Sequence, residues 1–280
     1  MRKTYQILSV GLIALALSNL SARASYVDIT VNDGSSNAIY GSDPRAGINE
    51  SGETEYNCVS NASWDLRAMA FDINTNKLMV VSGFNPMTTN DGIGIGDIFI
   101  DTNSSFVVPN RPSASNGYYN YLNSAVGYEY AIDLINAKNG GYGYNIVALS
   151  GASTLRSGEY AQNAISDPAT LVASGADTIL ASGFFSLTTK TDAQVLADLG
   201  INVGTNGGTN YVFTFDLSGA SLANGATFRL TQECGNDLLV GHLAAGVAVA
   251  AVPETSTWVM GFLALGTVGF MVRRNAKLSA

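Results

Sequence analysis

The chain has 280 residues, 46% hydrophobic and only 13% charged, with 30 glycines and 13 tyrosines. That length supports one sizeable core and does not require two. The formal net charge is −8, and six of the 14 Lys and Arg residues lie in the first 23 or last eight positions, so the stretch between is more acidic still. An acidic, lysine-poor surface argues against nucleic acid or anionic lipid as a partner. It suits an extracellular domain and leaves carboxylates available for calcium.

Met1, Arg2 and Lys3 open the chain with positive charge, and Ile7 to Leu17 is almost wholly apolar. Ala22-Arg23-Ala24 then supplies small residues at both positions of an A-x-A cleavage pattern. Basic start, short apolar centre and small-residue exit are the parts of a secretory signal peptide over residues 1–24, with the mature chain beginning at Ser25. No cysteine follows that point, which argues against a lipid-modified N-terminus.

Residues 25–251 read as a β-rich extracytoplasmic domain. Trp64 to Ile73 and Lys77 to Ser82 flank Asn74-Thr75-Asn76, a predicted hairpin turn. Asp97 to Ile100 follows a glycine-rich stretch from Gly92 to Gly96. Gly127 to Leu134 alternates, with Tyr128, Tyr130, Ile132 and Leu134 predicted on one face. Tyr142 to Leu149, Thr178 to Leu187, Tyr211 to Leu217, Ala226 to Gln232 and Asp237 to Val240 are further predicted strands. One segment breaks the pattern. Thr191-Asp192-Ala193-Gln194 has capping-box spacing, Val195, Leu196 and Leu199 form an apolar stripe, and Gly200 is placed to end it. The expected fold is mainly β, an antiparallel sandwich of jelly-roll-like type with one short helix on a sheet edge. No internal repeat is present, and Ala244 to Ala251 reads as a last strand or a linker.

His242 is the only histidine, which removes H-E-x-x-H and three-histidine metal sites. A serine triad would have to use it, and no G-x-S-x-G elbow is present. Asp97 and Asp101 lie four apart in G-D-I-F-I-D, hence on one strand face, and are candidate calcium ligands. The alternative is that one caps a turn while the other is solvated. Glu233 and Asp237 pose the same choice. Such carboxylate pairs also suit a glycosidase, though a chain with 22 acidic residues contains several by chance. The blocks W-D-L-R-A-M-A-F-D, G-D-I-F-I-D and E-C-G-N-D stand out without indicating an activity. Tyr118, Tyr119, Tyr121, Tyr128 and Tyr130 crowd together and offer either sugar-stacking rings or ordinary core residues. Two cysteines, Cys58 and Cys234, suggest a disulfide in an exported protein, the alternative being two free buried thiols.

The last 29 residues form three parts. Val252-Pro253-Glu254-Thr255 is a polar motif in which Pro253 keeps the backbone extended. Trp258 to Val272 is an uncharged apolar run, and Arg273, Arg274 and Lys277 follow it. Such a run makes a helix of about 25 Å, slightly short of a hydrocarbon core, with Trp258 at one interface and the arginines on the cytoplasmic side. The signal peptide places the body on the opposite side, so both ends agree on one topology.

This tail resembles the PEP-CTERM sorting signals of Gram-negative bacteria. The likeness lies in Val252, Pro253 and Glu254, then Ser256, Thr257 and Trp258, then the apolar helix and terminal arginines. Thr255 departs from it, since the family usually has a second proline there. The resemblance implies a transient inner-membrane anchor over 252–280, recognised and cut near the motif by an exosortase, a membrane-embedded cysteine transpeptidase-like enzyme. The chain is then a substrate, supplies no catalytic residue and ends at the cell surface or outside. It also implies association with extracellular polysaccharide in a biofilm. The first expectation is therefore a non-enzymatic surface or matrix protein. The alternatives are a carbohydrate-binding sandwich, with or without calcium, and a secreted hydrolase using a carboxylate pair.

Overall fold

A computed structural model describes residues 26–31, 65–87, 94–107, 118–135, 141–158, 168–172, 177–203, 208–233 and 237–246. The signal segment, Cys58, Cys234 and the sorting tail from Val252 to Ala280 lie outside the described residues.

Among the described residues the chain is mainly β, with one α-helix. The strands are β1 (Tyr26–Asp28), β2 (Leu66–Asp72), β3 (Lys77–Ser82), β4 (Ile95–Asp101), β5 (Asn120–Leu122), β6 (Tyr130–Ile135) and β7 (Gly143–Ala148). Then come β8 (Thr154–Ser157), β9 (Pro168–Val172), β10 (Thr178–Phe184), β11 (Ser186–Thr191), β12 (Thr209–Asp216), β13 (Ala226–Gln232) and β14 (Leu238–Leu243). The helix α1 (Asp192–Leu199) sits between β11 and β12.

Every strand pair is antiparallel. Three sheets result, in the orders β1-β2-β3-β12-β11, β10-β7-β6-β4-β13-β14 and β5-β8-β9. The β2–β3 hairpin shows how a local sequence sets register. Asp72 pairs with Lys77, and its carboxylate accepts from Asn74 N at 2.9 Å and Thr75 Oγ1 at 2.6 Å. Asn76 takes φ 56°, a left-handed conformation that Asn tolerates better than a branched residue.

The two larger sheets share one core. Phe71, Val80, Phe213 and Phe215 from the five-stranded sheet meet Ile98, Ile100, Ile132, Ile146 and Phe228 from the six-stranded sheet. Burying each such side chain contributes about 1.5–3 kcal/mol. Residues Tyr26 to Val31 close one seam: β1 pairs with β2, Val31 N donates to Val240 O at 2.8 Å, and Ile29 O accepts from His242 N at 2.7 Å.

Each large sheet also has a second apolar layer. On the five-stranded sheet, Val195 and Leu199 of α1 cover Ala68, Ala70, Val81 and Val212. On the six-stranded sheet, Leu155 of β8 joins Phe99, Ala131, Val126 and Tyr128. That small sheet approaches closely enough that a Cβ on Gly96 would overlap the carbonyl oxygens of Ala169 and Thr231, so only glycine fits there.

The predicted strands coincide with β2, β3, β4, β6, β7, β12, β13 and β14, and β10 and β11 share one predicted segment divided at Phe185. The helix has both capping-box bonds and Gly200 in the left-handed region at φ 75°. One facing is corrected. Tyr130, Ile132 and Leu134 belong to the core between the large sheets, whereas Tyr128 lies in the outer layer. Gly127 turns the backbone at φ 93°, and the Asn123 side chain holds Tyr128 by both its N–H, at 3.0 Å, and its C=O, at 2.7 Å. No described helix is long and apolar enough to cross a membrane.

Candidate functional site

Alternation along the six-stranded sheet sends one residue set into the shared core and the other outward. Among the described residues, the small sheet packs on the outward face over β4, β6 and β13, away from the end formed by β7 and β10. A cross-strand polar row runs over this face. Ser182 pairs with Asn145, and Asn145 with Asp133; one step beyond the Ile98–Ile132 pair, the row reaches Asp97. Ser182 Oγ donates to Asn145 Oδ1 at 2.7 Å, and the Asn145 side chain is bonded to Asp133.

Asp97 is the buried end of this row. Its Oδ1 accepts from Leu134 N at 2.8 Å and its Oδ2 from Leu171 N at 2.6 Å. One carboxyl thus ties β4 to its neighbour β6 and to β9 of the small sheet. Burial, aided by the nearby charges of Asp133 and Glu233, pushes its pKa up to about 8 against the pull of those two N–H donors. Asp133 is half-buried and is also raised by desolvation, opposed by its bond with Asn145.

Asp101 shares the face but not the role. It accepts from Asn103 N at 3.1 Å, Ser105 N at 3.2 Å and Phe106 N at 3.2 Å, so it shapes the exit of β4. Glu129 completes that loop, accepting from Thr102 N at 2.7 Å and Asn103 Nδ2 at 2.6 Å. Strand residues four apart are separated by roughly 13 Å, and Phe99 lies between these two. The carboxylates of Asp97 and Asp101 are therefore not brought to one point. Among the described residues no three His, Cys, Asp or Glu side chains gather closely enough to hold a metal ion.

The other candidates are also dispersed. Glu233 Oε2 accepts from Gly94 N at 2.9 Å, and Asp237 Oδ2 from Leu66 N at 2.6 Å. His242 is exposed on β14, with Nδ1 3.2 Å from Thr227 Oγ1. The crowded tyrosines separate: Tyr118 lies 5.1 Å under the Arg156 guanidinium, Tyr128 stacks between Phe99 and Phe106, and Tyr130 turns inward. Tyr121 packs with Tyr128 in the outer layer, so Tyr118, Tyr128 and Tyr130 face three different surroundings. The three acidic sequence blocks gain a shared physical reading, since Asp72, Asp97, Asp101, Glu233 and Asp237 each accept backbone N–H groups.

Two features escape sequence reading. The first is a buried network in which Arg67 Nε donates to Asp65 Oδ2 at 2.8 Å and Nη1 to Asn210 Oδ1 at 2.6 Å. Asn210 Nδ2 passes it on to Asp192 Oδ1 at 2.7 Å. The spacing of Asp65 and Arg67 in W-D-L-R is the only local signal, and their partners are remote in sequence. The second is Phe184, 86% exposed at the open end of the polar row. Comparison with protein-family models, curated proteins and solved structures finds no match to this chain.

Proposed function

We propose that this chain is an exported surface or matrix protein whose tail, residues 252–280, is cut away by an exosortase after delivery through a signal peptide. One observation carries the reading: V-P-E and S-T-W directly precede an uncharged run that ends in Arg273 and Arg274. Proline keeps the motif extended and accessible, the apolar run lodges in the bilayer, and the arginines hold its far end in the cytoplasm. The body is non-enzymatic and associates with extracellular polysaccharide. In support, the carboxylates most suggestive of catalysis are engaged with backbone donors. As architecture, we read a jelly-roll-like sandwich, because β12 returns to pair with β3 and β13 with β4, the long-range returns of a Greek-key arrangement.

Mass spectrometry of the protein recovered from the cell surface tests this reading. The expected result is peptides from the body and none from Trp258 to Ala280, with intact tail accumulating in a strain lacking the exosortase. A mature surface population that retains Trp258 to Ala280, or unchanged processing in that strain, overturns it.

A further inference from the structure

The open end of the six-stranded sheet has two adjacent rows with different chemistry. One is the polar row Ser182, Asn145 and Asp133. In the next, Phe184 pairs with Gly143, and Gly143 with Ile135. Phe184 and Ser182 are two apart on β10 and share the outward face, while Gly183 between them faces Tyr144 in the core. Phe184 is 86% exposed. A ring so exposed on an edge strand gains almost none of the burial that stabilises core residues, and it offers a large apolar surface to a ligand. Its cross-strand neighbour, Gly143, puts no side chain beside the ring.

We infer that this face is a binding surface for an uncharged glycan, with one sugar ring stacked on Phe184 and its hydroxyls bonded along Ser182, Asn145 and Asp133. A pyranose has an apolar C–H face and a rim of hydroxyls, so it meets both rows at once. Phe184 and Ser182 are about 6.7 Å apart along the strand, close to the width of one ring. The Ser182–Asn145–Asp133 chain retains spare capacity: a second Asn145 N–H, lone pairs on Asp133 and on the Ser182 oxygen. Sugar hydroxyls both donate and accept, so they satisfy each of these. A lipid or an apolar protein face would desolvate the same groups without partners, at a cost of about 1–3 kcal/mol each.

Charge decides between glycans. The described residues of these two rows include Asp133 and no Lys or Arg, and the chain is net acidic. An anionic polysaccharide is repelled and a neutral one is not. The inference deepens the proposed association with polysaccharide and rests on that reading only for where the glycan is met. Binding measured on purified protein is independent of whether the tail is cut.

The test is native affinity electrophoresis of the full chain in mild detergent, with hydroxyethylcellulose as the neutral probe and alginate as the anionic one, followed by a neutral-glycan array. The wild-type chain is expected to be retarded by hydroxyethylcellulose or captured on the array, and not by alginate. Phe184→Ala should weaken binding at least about fivefold, the loss of one stacking contact, while Phe184→Tyr retains it. Asn145→Ala should weaken it through the polar row. Leu196→Ala, 52% exposed on α1, should leave it unchanged. No binding to any neutral glycan, or equal binding by Phe184→Ala, overturns the inference. A dimer that sedimentation detects and Phe184→Ala abolishes, without glycan retention, also overturns it and makes β10 a self-association edge.

Discussion

Asp97 accepts N–H groups from two different sheets, yet its burial favours the protonated form, with a pKa near 8 against an ordinary 3.8. The folded state therefore binds this proton more tightly than the unfolded chain. Its contribution to stability is complete below about pH 4 and is lost as pH climbs towards 8. Urea unfolding at about pH 5 and about pH 8.5 checks this. The wild-type midpoint should rise on acidification relative to that of Asp97→Asn, which has no proton to take up. Equal pH dependence in the two proteins contradicts it. Asn123 offers a pH-independent contrast. Its buried amide bonds both backbone groups of Tyr128 and, at 3.2 Å, the Ser150 carbonyl. Asn123→Ala leaves those groups without partners, and denaturant titration should register a loss of about 2–4 kcal/mol.

Among the elements, α1 is the one most completely written in local sequence. Thr191 Oγ1 accepts from Gln194 N at 3.3 Å, Gln194 Oε1 accepts from Thr191 N at 2.8 Å, and Gly200 donates its N–H to Leu196 O at 3.0 Å. A Cβ on Gly200 would meet nothing within 4 Å. Gly200→Ala should thus cost about 1–2 kcal/mol through backbone strain alone, and Thr191→Ala about 1 kcal/mol through the lost cap, both read from thermal or urea midpoints. The β2–β3 hairpin is equally legible, because Asp72 accepts from Asn74 and Thr75, within three residues of itself. The small sheet is not. N-Y-L, T-L-R-S and P-A-T-L-V are too short to show alternation, and they become strands only by pairing with one another over the Phe99 layer. Tyr128 was misplaced because the clamp that turns it outward comes from Asn123, outside its strand. The Phe184 surface was hidden for a related reason. A bulge between Ile179 and Ala181 shifts the phase of β10, and which face of an edge strand stays uncovered depends on where a third sheet ends.

At the scale of the molecule, the proposed export and a Cys58–Cys234 bridge lead to one joint prediction. The Leu66–Asp237 hydrogen bond joins β2 to the start of β14, eight residues after Cys58 and three after Cys234. Chain segments that follow the two cysteines therefore meet in the fold, while Cys58 and Cys234 themselves lie outside the described residues. In the entropic account a bridge closing so long a loop stabilises by roughly 5 kcal/mol at most, and it forms only in an oxidising compartment. Such a bridge would thus report where the chain folds. Alkylation followed by mass spectrometry should find no free thiol in protein recovered from outside the inner membrane. A form beginning at residue 25, retained in the cytoplasm, should present two. Reduction of the exported form should lower its urea midpoint, and the same treatment should leave Cys58→Ala/Cys234→Ala unchanged. Two free thiols in the exported protein would leave Cys58 and Cys234 as separate apolar residues, and the stability of the β-sheet fold would then rest on its packed layers alone.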